Sequence, residues 1–510
     1  MKAFFSSGKI QTIVWISLLA LAFCCGRKPS YEFADLYEGL PFDMPRVQRP
    51  SIPKRSASIV EFGAVGDGIT LNTEAFAAAI SHVCGKGGGH VVVPEGMWLT
   101  GPVTLLDNID LHLEEGAVIV FSADRDLYPI IETNFEGLDM YRCLSPINAY
   151  RARNISITGK GIIDGSGDSW REVKKQNAPP KVWKEILKNG GVLSDKQDVW
   201  FPDEGYKKAR ATSGNFNNPD PSLDTAEIKS FLRPVMVSVR ECENVLLEGC
   251  TFQNSPAWNI HPLYSRNLII KDINVRNPWY ATNGDGIDID ACENVILQGA
   301  TFDVGDDAIC IKSGKDEDGR RHAVKCRNLL IDRCTVYHGH GGFVVGSEMS
   351  GGVENIKVTR NCYLGTDVGL RFKSTRGRGG VVKDIWIDDI KMKDIVADAV
   401  TFNLFYAGKS ATEGGPGAES ATIPEADETT PEFRDIHISN VTCNGAAAAI
   451  TVNGLEEKPV RDISFSGVTI SSRKGIEVSN ADGITFENVV VRTPGGEAPS
   501  VRNSTRITFK

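Results

Sequence analysis

One pattern of apolar and polar positions returns along most of the chain. "ENVLLEGCTF" at 243–252, "RNLIIKDINV" at 266–275, "ENVILQGATF" at 293–302, "RNLLIDRCTV" at 327–336 and "ENIKVTRNCY" at 354–363 share it, and "KDIWIDDIKM" at 383–392, "RDIHISNVTC" at 434–443 and "RDISFSGVTI" at 461–470 continue it. Each unit opens on a polar step with Asn or Asp, alternates apolar and polar residues with period two, and closes on a second short apolar step. The phase repeats at Asn244, Asn267, Asn294, Asn328 and Asn355, at intervals of 23, 27, 34 and 27 residues. A constant core with variable spacing is what a solenoid with insertions at its corners produces. No long amphipathic helix separates the units, so the repeat is strand–turn–strand and the predicted fold is an all-β parallel β-helix. One coil cannot bury its inward Val, Ile and Leu alone; its neighbours above and below complete the interior and satisfy the backbone.

Other segments depart from the repeat. "NTEAFAAAISHVC" at 72–84 predicts a short amphipathic helix over the N-terminal mouth of the solenoid, and the Pro-rich "PFDMPRVQRPSIPKR" at 41–55 reads as linker. The catalytic solenoid is expected to span 56–510 as one domain, with 26–55 as linker. From about 166 to 232 the chain carries Trp170, Trp183, Trp200 and Tyr206; it is too long for a structureless connection and predicts a packed excursion with its own helix near 181–188. The Gly-, Glu-, Thr- and Ala-rich stretch at 408–430 predicts a mobile loop. At the N-terminus, Lys2 and Lys9 precede an apolar run from Ile10 to Phe23, the shape of a secretory signal over 1–25. The run is short for a membrane span. Export to the periplasm or cell surface of a bacterium follows, with Cys24 or Cys25 a candidate lipid anchor.

Composition narrows the function. Net charge is -9, which argues against nucleic acid as partner because phosphate binding needs a basic surface. Gly is abundant, at 51 residues, as a turn-rich fold requires. None of the cysteines beyond the signal shows the C-x2-C spacing of structural zinc. Cys242 and Cys292 precede an Asn–Val step by two residues, and Cys250 and Cys334 follow the Asn of such a step by six, so stacked core cysteines are expected and disulfides remain open.

Carboxylates gather where the strands should run. "NGDGIDID" at 283–290 and "GDDAICIKSG" at 305–314 place Asp285 and Asp306 21 residues apart, close to one coil. They can therefore occupy neighbouring rungs, roughly 5 Å apart, with Asp307 alongside. His340 in "HGHGGF" and then Arg371 and Lys373 in "LRFKS" follow at similar steps, the last two on one strand face. Two carboxyl groups flanking a glycosidic bond supply an acid for the leaving oxygen and a base for water. Crowding raises the pKa of one member. Arg371 and Lys373 suit a sugar carboxylate. A single Asp–Gly or Asp–Asp pair is usually a solvated turn, and Asp288 and Asp290 read as structural on that ground. The repeated Asn reads as a corner residue or ladder.

"NGD" at 283–285, "GDD" at 305–307, "GHG" at 339–341 and "RFK" at 371–373 resemble, in order and spacing, the signature motifs of glycoside hydrolase family 28, the polygalacturonases. "NSPAWNIHP" at 254–262, "GSEMSGGV" at 346–353 and "STRGRGG" at 374–380 look like bacterial members. The resemblance implies a right-handed parallel β-helix and metal-free, cofactor-free inverting hydrolysis of α-1,4-linked galacturonic acid. It makes Asp306 the general acid, Asp285 and Asp307 the pair that activates water, and His340 a supporting group beside the acid. Asn283, Arg371 and Lys373 become substrate binders. Gly284 and Phe372 depart from the usual Thr and Ile of those motifs.

The expected partner is a galacturonate-containing pectic polysaccharide or oligosaccharide, with a membrane involved only through a lipid anchor. Rhamnogalacturonan or xylogalacturonan backbone is an alternative substrate. A β-helix polysaccharide lyase would want carboxylate-held Ca2+ and a base for the C5 proton. A non-catalytic binding or adhesion solenoid would have no reason to crowd Asp285, Asp306 and Asp307. The excursion at 166–232 is placed to wall off one side of the groove, with its tryptophans either packing on the solenoid or stacking on a terminal sugar. That predicts exo-action.

Overall fold

The computed structural model describes residues 31–213, 218–406 and 423–510. The secretory and lipidation readings at 1–25 lie outside the described residues, as does most of the 408–430 loop. The chain divides into two compact units, Met1–Asp43 and Met44–Lys510. The first carries a four-residue helix, Ala34–Tyr37. Among the described residues no helix is long and apolar enough to cross a membrane.

The second unit is a right-handed parallel β-helix. One ladder of twelve strands forms the face that matters below. The other two faces are counted as one 25-stranded sheet because Ile385–Lys393 and Glu432–Asn444 run continuously through both. Alternation in sequence becomes stacking in space. Ile260, Ile287, Ile309, Phe343, Leu370, Val400, Ile450 and Ile476 are successive register partners, all turned inward. Phe372, the departure from Ile, is fully buried and stacks on Phe402 at 4.3 Å and 2°. Its inward direction is what turns Arg371 and Lys373 outward together.

The corner Asn residues form the expected ladder. Asn154, Asn244, Asn267, Asn294, Asn328 and Asn355 each donate an amide N–H to the carbonyl of the Asn one coil earlier, at 3.0–3.2 Å, beginning from Asn108. All have φ between 53° and 60°. Asn tolerates this left-handed conformation better than other side chains, and Asp384, Asp435 and Asp462 take it over in later coils. The long 34-residue interval is explained by a helix, Asp316–His322, inserted at one corner. The cysteines among the described residues are free thiols, including buried Cys242, Cys250, Cys292, Cys326 and Cys334.

The predicted capping helix spans Thr73–Gly85 and buries Phe76, Ala79, Ile80 and Val83 in the same core as the first strands. The excursion is packed, as expected, with helices Pro180–Ile186 and Glu204–Ser213 and a small antiparallel sheet. Trp170, Trp183 and Trp200 are buried within it, so they pack and do not present faces to a sugar. The sequence pattern did not separate out a hairpin, Ile130–Phe135 with Leu138–Cys143. Its stem is anchored by buried Arg142, which donates to the Phe231 carbonyl at 3.0 Å, and Phe135, beside the turn, stacks on Trp258 at 5.1 Å. Its tip reaches the corner helix. The Lys315 amide donates to the Gly137 carbonyl at 3.0 Å, and Asp139 meets Arg321 at 2.8 Å and His322 at 2.9 Å.

Candidate active site

Four consecutive strands of the twelve-strand face bring the predicted residues together. Ile287–Asp290, Asp307–Lys312 and Gly341–Val345 pair in parallel, followed by Val368–Lys373. The backbone ladder runs through the site itself: the Gly286 amide donates to the Asp307 carbonyl and the His340 amide to the Asp306 carbonyl, both at 2.9 Å. One carboxylate oxygen from each of Asp285, Asp306 and Asp307 lies within 4.8 Å of the others.

Glycine permits this convergence. A Cβ on Gly305 would stand 2.6 Å from the Pro278 carbonyl and 2.9 Å from that of Ala281, so the loop before Asp285 presses on the turn before Asp306. At Gly284 a Cβ would come within 2.7 Å of the Ala281 Cβ. The turn closed by the Gly284 amide on the Ala281 carbonyl, at 2.9 Å, leaves no room for the Thr usual in the motif.

The three carboxyls differ electrostatically. Burial first, then the charges of Asp288 and Asp306, pushes Asp285 well above the ordinary carboxylate range. Burial also acts on Asp307, but Lys373 at 2.7 Å and Arg371 at 3.1 Å overcome it and hold that carboxyl well below the range. Burial likewise acts on Asp306, and His340, whose Nδ1 lies 3.1 Å away, overcomes it and lowers that carboxyl too. In return the hydrogen bond and charge of Asp306 raise His340 to about 9. The crowding expected from the sequence therefore falls on Asp285, whereas the resemblance gives the acid role to Asp306. The cause is local: His340 neutralises Asp306, while at Asp285 burial and the charge of Asp288 outweigh the opposing charge of Lys312.

The two predicted carboxylate binders are both turned to Asp307. Lys373 is almost wholly buried against it, whereas the side chain of Arg371 keeps 20% of its surface open. Asn283, predicted to bind substrate, has φ 54° and its side-chain oxygen accepts from Arg233 at 2.6 Å. Fully buried Arg233 also donates to the Thr282 carbonyl at 2.7 Å, fixing the loop that delivers Asp285. No motif marks it in the sequence. Lys312 is a second residue the sequence did not single out, although it lies in the quoted "GDDAICIKSG". Its ammonium sits 3.1 Å from Asp288, 3.8 Å from Glu348 and 3.5 Å from the centre of the Trp258 ring. Asp288 and Asp290 are buried in this layer, Asp290 accepting from the Gly314 amide at 3.1 Å, consistent with a structural reading.

The acidic triad has the donor type for a hard divalent ion. Asp307, however, already spends both carboxylate oxygens on Arg371 and Lys373, and those two charges oppose a further cation. As acid–base chemistry the arrangement offers a carboxyl whose ionised form is favoured, one whose ionised form is disfavoured, and an imidazole–carboxylate pair, all in one cluster.

Comparison with known proteins converges on one family. The model of glycosyl hydrolases family 28 matches residues 224–489. A probable polygalacturonase of Vitis vinifera is 30% identical over 425 residues, 81% of this chain and 74% of its own. An exo-poly-alpha-D-galacturonosidase of Dickeya chrysanthemi is 27% identical over 474 residues, covering 89% of this chain and 74% of its own. Among solved structures, a hyperthermoactive exopolygalacturonase from Thermotoga maritima superposes with a TM-score of 0.72 at 33% identity, covering 88% of this chain and 94% of its own.

Proposed function

Because the chain belongs to glycosyl hydrolases family 28, and is therefore a glycoside hydrolase, we infer that its groove hydrolyses α-1,4-linked galacturonic acid in pectin, working from chain ends. The observation that carries this reading is the meeting of Asp285, Asp306 and Asp307 beside Arg371 and Lys373. Family membership sets aside the lyase and the adhesion solenoid.

In the proposed mechanism, Asp307, kept ionised by its two cations, accepts a proton from water held between it and Asp285. The Asp306–His340 pair carries one proton up to about pH 9, on the imidazole when no substrate is bound. A bound sugar that excludes water favours the neutral form of this pair, so the proton passes from His340 to Asp306, which delivers it to the leaving oxygen. The carboxylates are closer than the about 6.5–9.5 Å usual for a two-carboxylate inverting site. Inversion is nevertheless the favoured course, because both oxygens of Asp307 are tied by Lys373 and Arg371 and burial disfavours the ionised form of Asp285, which weakens each as a nucleophile.

Exo-action is supported by the two walls. Arg233, just after the excursion, is bonded to Asn283, and the hairpin crosses from an early coil to the corner helix on the coil of Asp306, contacts that favour a site closed on its N-terminal side. The Dickeya and Thermotoga relatives carry exo-acting names. Export, suggested by Lys2, Lys9 and the apolar run to Phe23, belongs to the same reading and is checked by fractionating cells. The test of function is reducing-end release from polygalacturonate: wild type should release it, and Asp306→Asn should lower the rate by about 10²–10⁴-fold while still binding substrate. Comparable rates in the two proteins would remove Asp306 from the chemistry.

A further inference from the structure

The loop that delivers Asp285 leaves one large ring in water. Trp279 is 64% exposed, the most exposed aromatic side chain among the described residues. It is nevertheless held. Its indole N–H donates to Asp303 at 3.1 Å, and the same carboxylate oxygen engages Nδ1 of His338 at 2.8 Å. The two rings lie 4.1 Å apart, tilted by 39°. One carboxylate thus clamps two rings into a single platform.

Its position ties it to the site. Trp279 precedes Asp285 by six residues, Asp303 precedes Asp306 by three and His338 precedes His340 by two. Asp303 and His338 end the strands Thr301–Asp303 and Thr335–His338, and Trp279 lies in the turn before Asp285, on the same three coils. The turn at Gly305 packs directly on the Trp279 backbone, with a Cβ there only 3.0 Å from its carbonyl. A rigid exposed indole normally costs solubility and carries a contact surface in exchange. The C–H face of a pyranose is the surface that packs on such a ring.

Resting on the functional reading above, we propose that Trp279 and His338 form a sugar-binding subsite for the departing part of the pectic chain, beyond the first sugar after the cut. The Asp306–His340 pair serves the leaving oxygen, and the platform's Asp303 and His338 stand three and two residues before that pair's members, which is why the platform is assigned to the leaving side. Asp303 beneath the platform and Asp367, 3.8 Å from Nε2 of His340, make its border acidic. The sugar is therefore held through its ring face and not through its carboxylate.

The test is kcat/KM of Trp279→Ala and Trp279→Phe on galacturonate oligomers of rising length. For Trp279→Ala, tri- and tetragalacturonate should lose about ten-fold, mainly in KM, the size of one aromatic contact. Digalacturonate should be nearly unaffected, and Trp279→Phe should restore most of the loss. Equal losses at every length, no loss at any length, or failure of Phe to rescue would overturn the subsite. A wild-type protein inactive on every galacturonate oligomer would instead overturn the functional reading, and this proposal with it.

Discussion

Replacing Lys373 by Met removes a charge while keeping the length and apolar stem of the side chain, and the structure sets the size of the effect. The ammonium is 2.7 Å from Asp307, with side chains 9% and 3% exposed. At an effective dielectric constant of 20 the attraction is ~6 kcal/mol. Part of that is returned because the ammonium no longer has to be desolvated, and Arg371 still reaches Asp307 at 3.1 Å. Breaking a buried pair from one side generally costs about 3–5 kcal/mol, and the surviving Arg371 contact reduces this to about 2–4 kcal/mol. Asp307 is depressed in the folded state, so its contribution is fully present above the unfolded value, near pH 4, and is lost as pH falls through the folded value. The cost of Lys373→Met should therefore be full at pH 7 and shrink below pH 4. Denaturant unfolding at both pH values measures it. A second readout is the acid limb of kcat/KM, which should move to higher pH because the water-activating carboxylate protonates more readily. A loss under about 0.5 kcal/mol, typical of an ordinary surface change, together with an unmoved acid limb would refute the reasoning.

Three further expectations follow from single contacts. His340→Gln removes the partner that lets the Asp306 pair keep its proton to about 9, so the alkaline limb of kcat/KM should fall towards the range of a buried carboxyl; an unchanged limb contradicts the proton's assignment to this pair. Arg371→Ala should raise KM for polygalacturonate more than it lowers kcat, with a smaller effect on methyl-esterified substrate, as a comparison of initial rates on the two polymers would record. Phe372→Ala should cost about 3–5 kcal/mol in unfolding experiments, because it empties a stacked position between Phe343, Phe402 and Phe433.

How much was legible in the sequence depends on the range of the interaction. The coils could be read because each is a local pattern, an Asn or Asp corner followed by alternation, and stacking repeats that pattern without altering it. The convergence of Asp285, Asp306, His340 and Arg371 follows from the succession of coils, one residue to each, with the longer steps taken up by insertions at the corners such as the helix Asp316–His322. Arg233 could not be read, since it holds Asn283 from outside the repeat and across 50 residues. The hairpin at 130–143 was equally hidden, because its tip pairs with Arg321 and His322 more than 180 residues away. Crowding of charge was foreseeable, but which carboxyl would bear it was not. That depends on Lys373, Arg371 and His340 reaching two of the three groups and leaving Asp285 with Asp288. The excursion's tryptophans show the same limit: composition placed them near the site, and only packing shows that Trp170 is spent on Tyr128 and its neighbours and that Trp183 and Trp200 pack with Val173 and Ala178.

The central claim is that water, activated between Asp285 and Asp307, attacks the terminal galacturonic acid of a pectic chain while Asp306 protonates the departing oxygen. A proton NMR time course of polygalacturonate with wild-type enzyme reads all of this at once. The account predicts free β-galacturonic acid as the first product, appearing before its α anomer and before any oligomer. The α anomer first would mean a covalent route through one of the carboxylates, a ladder of oligomers would mean internal cleavage, and an unsaturated product would mean elimination; each contradicts it.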